Sequence, residues 1–232
     1  MRRLAWMMVA GATLAACGTA TAQVTGPVAR AARALASVPL HFCFVIDATA
    51  QDAQERISGC GDESAGARRL ALTQNLLEQV GSQRQQSSEG VIEIGSKEWV
   101  SSSKVWQLVT PTTNVIEPLA VADLVDAAPG FVVGRGSVVD GVQALAYSTV
   151  LEGSSLSRTL ARLPAALAEQ YRGENLRSDD LTVELSPQGR LLEVDQHQSL
   201  VVSGQAVTAV SVLVLSRFGQ SVTVTPPSPV AG

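Results

Sequence analysis

Lysine is nearly missing from this chain. Lys97 and Lys104 are the only two, and arginine supplies the rest of the 17 basic residues, against 21 acidic ones. A net charge of −4 argues against a partner bound through a phosphate backbone and against a polybasic hold on anionic lipid. Histidine is equally scarce. His41 and His197 have no HExxH or CxxC context and read as structural or surface residues. Aromatic residues make up 4% of the chain. Beyond the N-terminal segment no stretch is long and apolar enough to span a bilayer as a helix. The longest, Val207 to Leu215, has strand length and is broken by Thr208 and Ser211.

Catalytic motifs are missing too. There is no GxSxG elbow. Ser101-Ser102-Ser103-Lys104 matches an SxxK pattern, but it lies between strand-like runs and neither SDN nor KTG follows. Gly134-Arg135-Gly136 opens like a dinucleotide fingerprint and fails at Val139. Asp195 and His197 share a strand face with no nucleophile in view, and Asp179-Asp180 reads as a turn or helix end rather than an acid/base pair. The expectation is a protein that is not an enzyme, with no catalytic residues, no cofactor, no metal and no nucleic-acid partner.

What is present begins at the N-terminus. Arg2 and Arg3 precede an apolar run from Leu4 to Ala12, and Leu14-Ala15-Ala16-Cys17 closes it. This is a positive n-region, an h-region and a small-residue cleavage site. Leu14 to Cys17 resembles the lipobox of bacterial lipoproteins. The resemblance implies that residues 1–16 are a signal peptide and that Cys17 takes a diacylglycerol. The chain would then be anchored on the outer face of the cytoplasmic membrane, with two acyl chains giving stable hold where one is marginal. An ordinary secretory signal is the alternative. Removing Arg2 and Arg3 from the 17 basic residues leaves 15 against 21 acidic, a net charge of −6. Residues 17–27 read as an uncharged tether, and 28–225 are of a size for one domain.

In an exported chain the two remaining cysteines, Cys43 and Cys60, read as a disulfide, with two buried free thiols as the alternative. A metal site is not expected, because no second Cys or His lies at a typical ligand-pair spacing. The elements follow from periodicity. Residues 28–37 read as a helix with Val28, Ala32 and Leu35 on one face, stopped by Pro39. Residues 40–49 alternate as a strand, with Leu40, Phe42, Phe44 and Ile46 opposite His41, Cys43, Val45 and Asp47. A return strand follows over 50–69, which a Cys43–Cys60 bridge would tie to the first. Residues 70–80 fit a strand or a helix. Strands are expected at 91–94, 98–101 and 104–110, and a helix at Pro118–Ala127 with proline in its first turn.

Residues 131–133 and 138–151 read as two strands around a Gly-rich turn. Leu156, Leu160, Leu163, Leu167 and Tyr171 mark an amphipathic helix, capped by Ser155 or Ser157 and kinked or split at Pro164. A hairpin is expected over 181–195 and strands at 207–215 and 221–225, with 226–232 a disordered tail. The order predicts an α+β domain: an antiparallel sheet with helices on one face.

Three segments carry a family resemblance. Phe131-Val132-Val133-Gly134, Val139-Asp140-Gly141 and Tyr147 resemble a "G…vdG…Y" segment of the actinobacterial LppX/LprG-type lipoproteins. The hairpin Leu181 to Leu191 is similar to their "v-D-x-x-G-r-l" hairpin, with Val183, Leu185 and Ser186 in place of the usual Trp and Asp. The ending Phe218-Gly219-Gln220-Ser221-Val222-Thr223-Val224-Thr225-Pro226-Pro227 is similar to their final "yG-x-p-v-x-V-x-x-P". The resemblance implies a strongly curved antiparallel sheet, an unclosed barrel with helices packed on the concave face, shared with the LolA/LolB carriers. It also implies a cavity for acyl chains or another apolar ligand and no catalytic residues. The cysteine pair and the low aromatic content depart from the family.

The expected function is therefore a membrane-anchored lipoprotein that binds or carries a lipid in the cell envelope. Burial would drive binding at about 0.8 kcal/mol per CH₂. Candidate pocket residues are Phe42, Phe44, Leu119, Leu124, Leu160 and Leu167, whose signature is shared by ordinary core. Arg158, Arg162 and Arg172 are candidates for an anionic head group or for a solvated helix face. The rival is a lipid-anchored scaffold or sensor with a filled core and no ligand.

Overall fold

Alternation of Leu40, Phe42 and Phe44 with His41, Cys43 and Val45 builds the strand at the middle of the molecule, with the first three buried. The structure is a computed structural model and describes residues 26–64, 69–101, 105–109 and 118–228. Its elements are α1 (Pro27–Leu35), β1 (Leu40–Ala50), β2 (Ala53–Ser64), β3 (Arg69–Val80), β4 (Gln83–Ile94), β5 (Lys97–Ser101), β6 (Trp106–Val109) and α2 (Pro118–Ala127). There follow β7 (Val132–Val139), β8 (Val142–Glu152), α3 (Gly153–Leu160), α4 (Ala165–Gly173), β9 (Ser178–Leu185), β10 (Leu191–Val202) and β11 (Gln205–Ser216).

All eleven strands form one antiparallel sheet in the order β6-β5-β4-β3-β2-β1-β11-β10-β9-β8-β7. β1 pairs with β11 at the centre, and β6 and β7 form the two free edges. The sheet is not closed into a barrel, and the helices pack on its concave face. This is the α+β class expected from the sequence.

Register fixes which residues face the helices. Phe42 stands opposite Leu215 on one side and Gly61 on the other; Phe44 stands opposite Leu213 and Gly59. The two glycines leave room for the rings, and a Cβ on either would lie 3.0 Å from the facing phenyl carbon. α1 starts with Pro27 in its first turn and buries Val28, Ala31, Ala32 and Leu35 over this region. α2 adds Val121, Ala122 and Val125 to the same cluster. Arg33 Nε lies 3.3 Å from Asp126 Oδ1, pairing α1 with α2.

Residues 70–80 resolve as strand, not helix, and β4 begins at Gln83, well before the apolar 91–94. Other differences have physical causes. The expected turn at 134–137 lies inside β7, where the register with β8 shifts between Val133 and Gly136. The reversal falls at Asp140-Gly141 instead, with φ of 47° and 78°, the pair of positive angles a two-residue hairpin needs.

Pro164 splits the amphipathic run into α3 and α4, standing just before α4 with extended backbone. Neither Ser155 nor Ser157 occupies the cap position of α3. Glu152 does, and its backbone N–H donates to Ser155 Oγ at 2.9 Å. Residues 221–225 are irregular rather than a strand. Both ladders of β1 and of β11 are already occupied, so no central partner remains. Val224 is nevertheless buried.

Candidate apolar ligand site

Among the described residues the buried apolar side chains form two large lobes, with a small third cluster of Val139, Ala144 and Leu192 apart from them. The first holds Phe42, Phe44, Leu181, Val183, Val194 and Leu213 of the sheet beneath α1 and α2. The second lies at the other end of the central strands and gathers Ala48, Leu151, Leu200, Val207 and Ala209. Leu124 and Ala127 of α2, Leu156 of α3, and Ala168 and Tyr171 of α4 close it. α2 therefore contributes to both lobes from different faces, as its spacing of apolar residues allows.

A polar seam runs through the second lobe's border with the first. Asp179 is fully buried, and its Oδ2 accepts from Gln196 Nε2 at 3.1 Å and from Gln198 Nε2 at 3.2 Å. Ser211 Oγ donates to Gln196 Oε1 at 3.4 Å. Tyr171 reaches Gln196 from α4 by a side-chain hydrogen bond. The other carboxyl oxygen, Asp179 Oδ1, is buried without a hydrogen-bond partner among the described residues. Burial, partly opposed by the two glutamine bonds, pushes the Asp179 carboxyl up to about 6. Burial likewise raises the Tyr171 phenol above its ordinary value, with the nearby Asp179 and Glu174 charges adding to the effect.

The sequence reading missed these seam residues, although extended strand alternation places them on the inward face. Asp179 continues the inward series Leu181, Val183 and Leu185 by one step, Gln196 and Gln198 sit between inward Val194 and Leu200, and Ser211 sits between Ala209 and Leu213. Asp179 lies in a strand, not at the turn or helix end expected for it.

The six candidate pocket residues do not converge on one place. Phe42 and Phe44 belong to the first lobe and Leu124 to the second. Leu160 and Leu167 are half-buried and pack against the second lobe, while Leu119 is half-buried on α2. The three arginines are each engaged locally. Arg158 Nε donates to the Ser154 carbonyl at 3.2 Å, and Arg172 Nη1 to Glu169 Oε1 at 2.8 Å. Arg162 Nη1 donates to the Ala127 carbonyl at 3.3 Å, which ties the α3–α4 corner to the end of α2.

A cavity lined by Ala48, Ala50, Val202 and Val207, with Glu55 and Glu78, has a volume of about 20 Å³. That is room for a single water and not for an acyl chain. Burial, and then the charge of Glu78 directly opposite, push the Glu55 carboxyl up to about 7.

Cys43 and Cys60 form a disulfide on the other face of the sheet, joining directly opposed positions of β1 and β2. Cys17 lies outside the described residues, as do Lys104 and the end of the tail. No helix among the described residues is long and apolar enough to cross a membrane.

No family model matches the chain, and no curated protein matches it. Solved structures do. LprF from Mycobacterium bovis is similar at 11% identity with a TM-score of 0.51, over 88% of this chain and 96% of that one. The MucA/MucB complex of Pseudomonas aeruginosa is matched at 15% identity and a TM-score of 0.31, over 83% of this chain and 54% of that one. A DUF1329 family protein from Desulfovibrio piger is matched at 8% identity and a TM-score of 0.24, over 87% and 96%. Of these, only the first is close enough to carry an argument, and what it carries is the fold. The chain has the open-sheet architecture of LprF, the LppX/LprG-type fold that its motifs resemble.

Proposed function

We propose that this protein is an exported lipoprotein, anchored through Cys17, that binds a lipid or other apolar ligand between its sheet and its helices. The supporting observation is the unclosed sheet, whose concave face is covered by four short helices of eight to ten residues. Such helices are separate pieces rather than one continuous wall. Half-buried Leu119, Leu160 and Leu167 leave apolar surface at their margins. Outward displacement of α3 and α4 would open the second lobe to an acyl chain. The seam would then offer Asp179 Oδ1, now unpartnered, to a hydroxyl or amide of the ligand. The reading involves no catalytic step.

The second reading is a lipid-anchored scaffold or sensor with a filled core, to which the two buried apolar lobes are equally suited. One experiment separates the two. The Cys17→Ser chain is purified from a lipid-containing host and examined by native mass spectrometry, then extracted with organic solvent. A co-purifying lipid lost on denaturation is the expected result. A clean apo mass, with no uptake of offered phospholipid or glycolipid, would replace the carrier reading by the scaffold.

A further inference from the structure

The face of the sheet turned away from the helices carries a square of four chemically active side chains. Strand register sets His41 opposite Asp62 and Cys43 opposite Cys60. His41 and Cys43 are two apart on β1, and Cys60 and Asp62 are two apart on β2, so all four project from one face. Asp62 Oδ1 lies 2.9 Å from His41 Nδ1, and this bond holds the ring. The other ring nitrogen, Nε2, points at Cys43 Sγ from 3.7 Å. The His41, Cys43 and Cys60 donor atoms all lie within 4.8 Å of one another. We propose that His41, Cys43 and Cys60 form a binding site for a zinc-class divalent cation when the Cys43–Cys60 disulfide is reduced, with Asp62 as the positioning residue behind His41.

The geometry fits that chemistry on three counts. Tetrahedral zinc bonded to one imidazole nitrogen and one thiolate sets nitrogen and sulfur about 3.6 Å apart, given bond lengths of about 2.05 and 2.3 Å. His41 Nε2 and Cys43 Sγ already stand close to that separation. A carboxylate on the far nitrogen of a metal-binding histidine fixes its tautomer and raises its basicity, which is the relation of Asp62 to His41. Cys60 is exposed, so the site has a path for reductant and cation and a free fourth position for water. A purely mechanical crosslink requires neither a ring aimed at its sulfur nor a carboxylate behind that ring. Spacing along the chain concealed the set, because its two halves come together only across the β1–β2 ladder.

The switching step balances with a dithiol as reductant. Its thiolate attacks the exposed Cys60 sulfur, and the S–S bond breaks with Cys43 leaving as thiolate, which takes up a proton. The second thiol of the reductant then resolves the mixed disulfide, closing its own disulfide and freeing Cys60. The cation subsequently displaces the protons from both thiols.

The test uses the full chain carrying Cys17→Ser, so that no other thiol is present. Reduced with a phosphine under anaerobic conditions, it is titrated with Co²⁺ as a spectroscopic probe, and Zn²⁺ is added in competition. The expected result is one Co²⁺ per chain, with thiolate-to-cobalt charge transfer and tetrahedral d–d bands that Zn²⁺ abolishes. The oxidised chain shows no such bands. His41→Ala loses the tetrahedral spectrum, and Asp62→Asn weakens binding about 10- to 100-fold. Absence of charge transfer in a reduced, folded chain overturns the proposal, as does an unchanged spectrum and affinity in His41→Ala. If reduction unfolds the chain, Zn²⁺ should restore its circular dichroism, and failure to do so is equally decisive against it.

Discussion

The Phe44 ring lies across Gly59, its directly opposed neighbour on β2. A Cβ at Gly59 would fall 3.0 Å from Phe44 Cε1 and 2.6 Å from the Thr73 carbonyl oxygen, and the second contact is with backbone. Gly59→Ala is expected to destabilise by about 1–3 kcal/mol through overpacking. Gly173, the last residue of α4, has open space where a methyl would stand, with nothing within 4 Å, and no positive φ. Gly173→Ala should be neutral or stabilise by up to about 1 kcal/mol. Urea midpoints of the two variants check the contrast, and equal shifts would refute the packing argument.

Asp179 makes stability depend on pH. Its folded carboxyl titrates at about 6 against an unfolded value near 3.8. Between these values the folded chain holds the proton more tightly, so this group's contribution falls as pH rises from about 4 through 6 and is flat above. Asp179→Asn removes the dependence. Relative to the original chain, the variant should gain stability as pH rises through that window, by at most on the order of 3 kcal/mol. Paired thermal melts at about pH 4, 5, 6 and 7, which bracket the two pKa values, give the difference curve. A flat difference would show that burial is not governing this group.

Leucines at the two depths should behave differently. Leu124 is fully buried in the second lobe, and Leu124→Ala is expected to cost about 2–5 kcal/mol. Leu160 and Leu167 are half-buried beside it. Truncating either to Ala should cost less than the Leu124 change while reducing uptake of a fluorescent fatty acid by the Cys17→Ser chain. Lost stability with undiminished uptake would mark both as ordinary core.

Removing the crosslink tests its mechanical share. The Cys43–Cys60 bridge spans a sequence separation of 17. Cys43→Ser combined with Cys60→Ser should lower stability by about 3 kcal/mol on the chain-entropy account. Chemical denaturation of the double variant measures it. A loss below about 1 kcal/mol would mean that the β1–β2 ladder already restrains this loop in the unfolded chain.

Much of the architecture was legible because its signals are local. Alternation in β1, Pro118 opening α2 and the apolar hairpin of β9 and β10 each needed only a short window. The polar start of β4 did not give itself away. Gln83 to Ser88 are exposed on both faces, and their strand is imposed by pairing with β3 across the Gly81-Ser82 turn. Residues 221–225 have strand-like alternation but no ladder to join. The candidate pocket shows the same limit. Side-chain period tells which face Phe42 or Leu124 occupies, but not which row along the strands it meets. Only register separates the two lobes and sets Asp179 between the glutamines.

One ladder in this sheet is unlike the others. Each remaining pairing joins strands that follow one another in the chain, whereas β1–β11 joins the first to the last. Two meanders can thus assemble by hairpin growth, and a single long-range closure must unite them. Loop-closure entropy falls on that one event, so it should govern the folding rate. During vectorial synthesis or export, Phe42 and Phe44 keep one flank bare until Leu213 and Leu215 arrive. The half-sheet β1–β6 and the half-sheet β7–β11 share one ladder, β1–β11, and β6 and β7 stand at opposite edges. A backbone cut between them would leave every hairpin whole, making this chain suited to reassembly from two fragments.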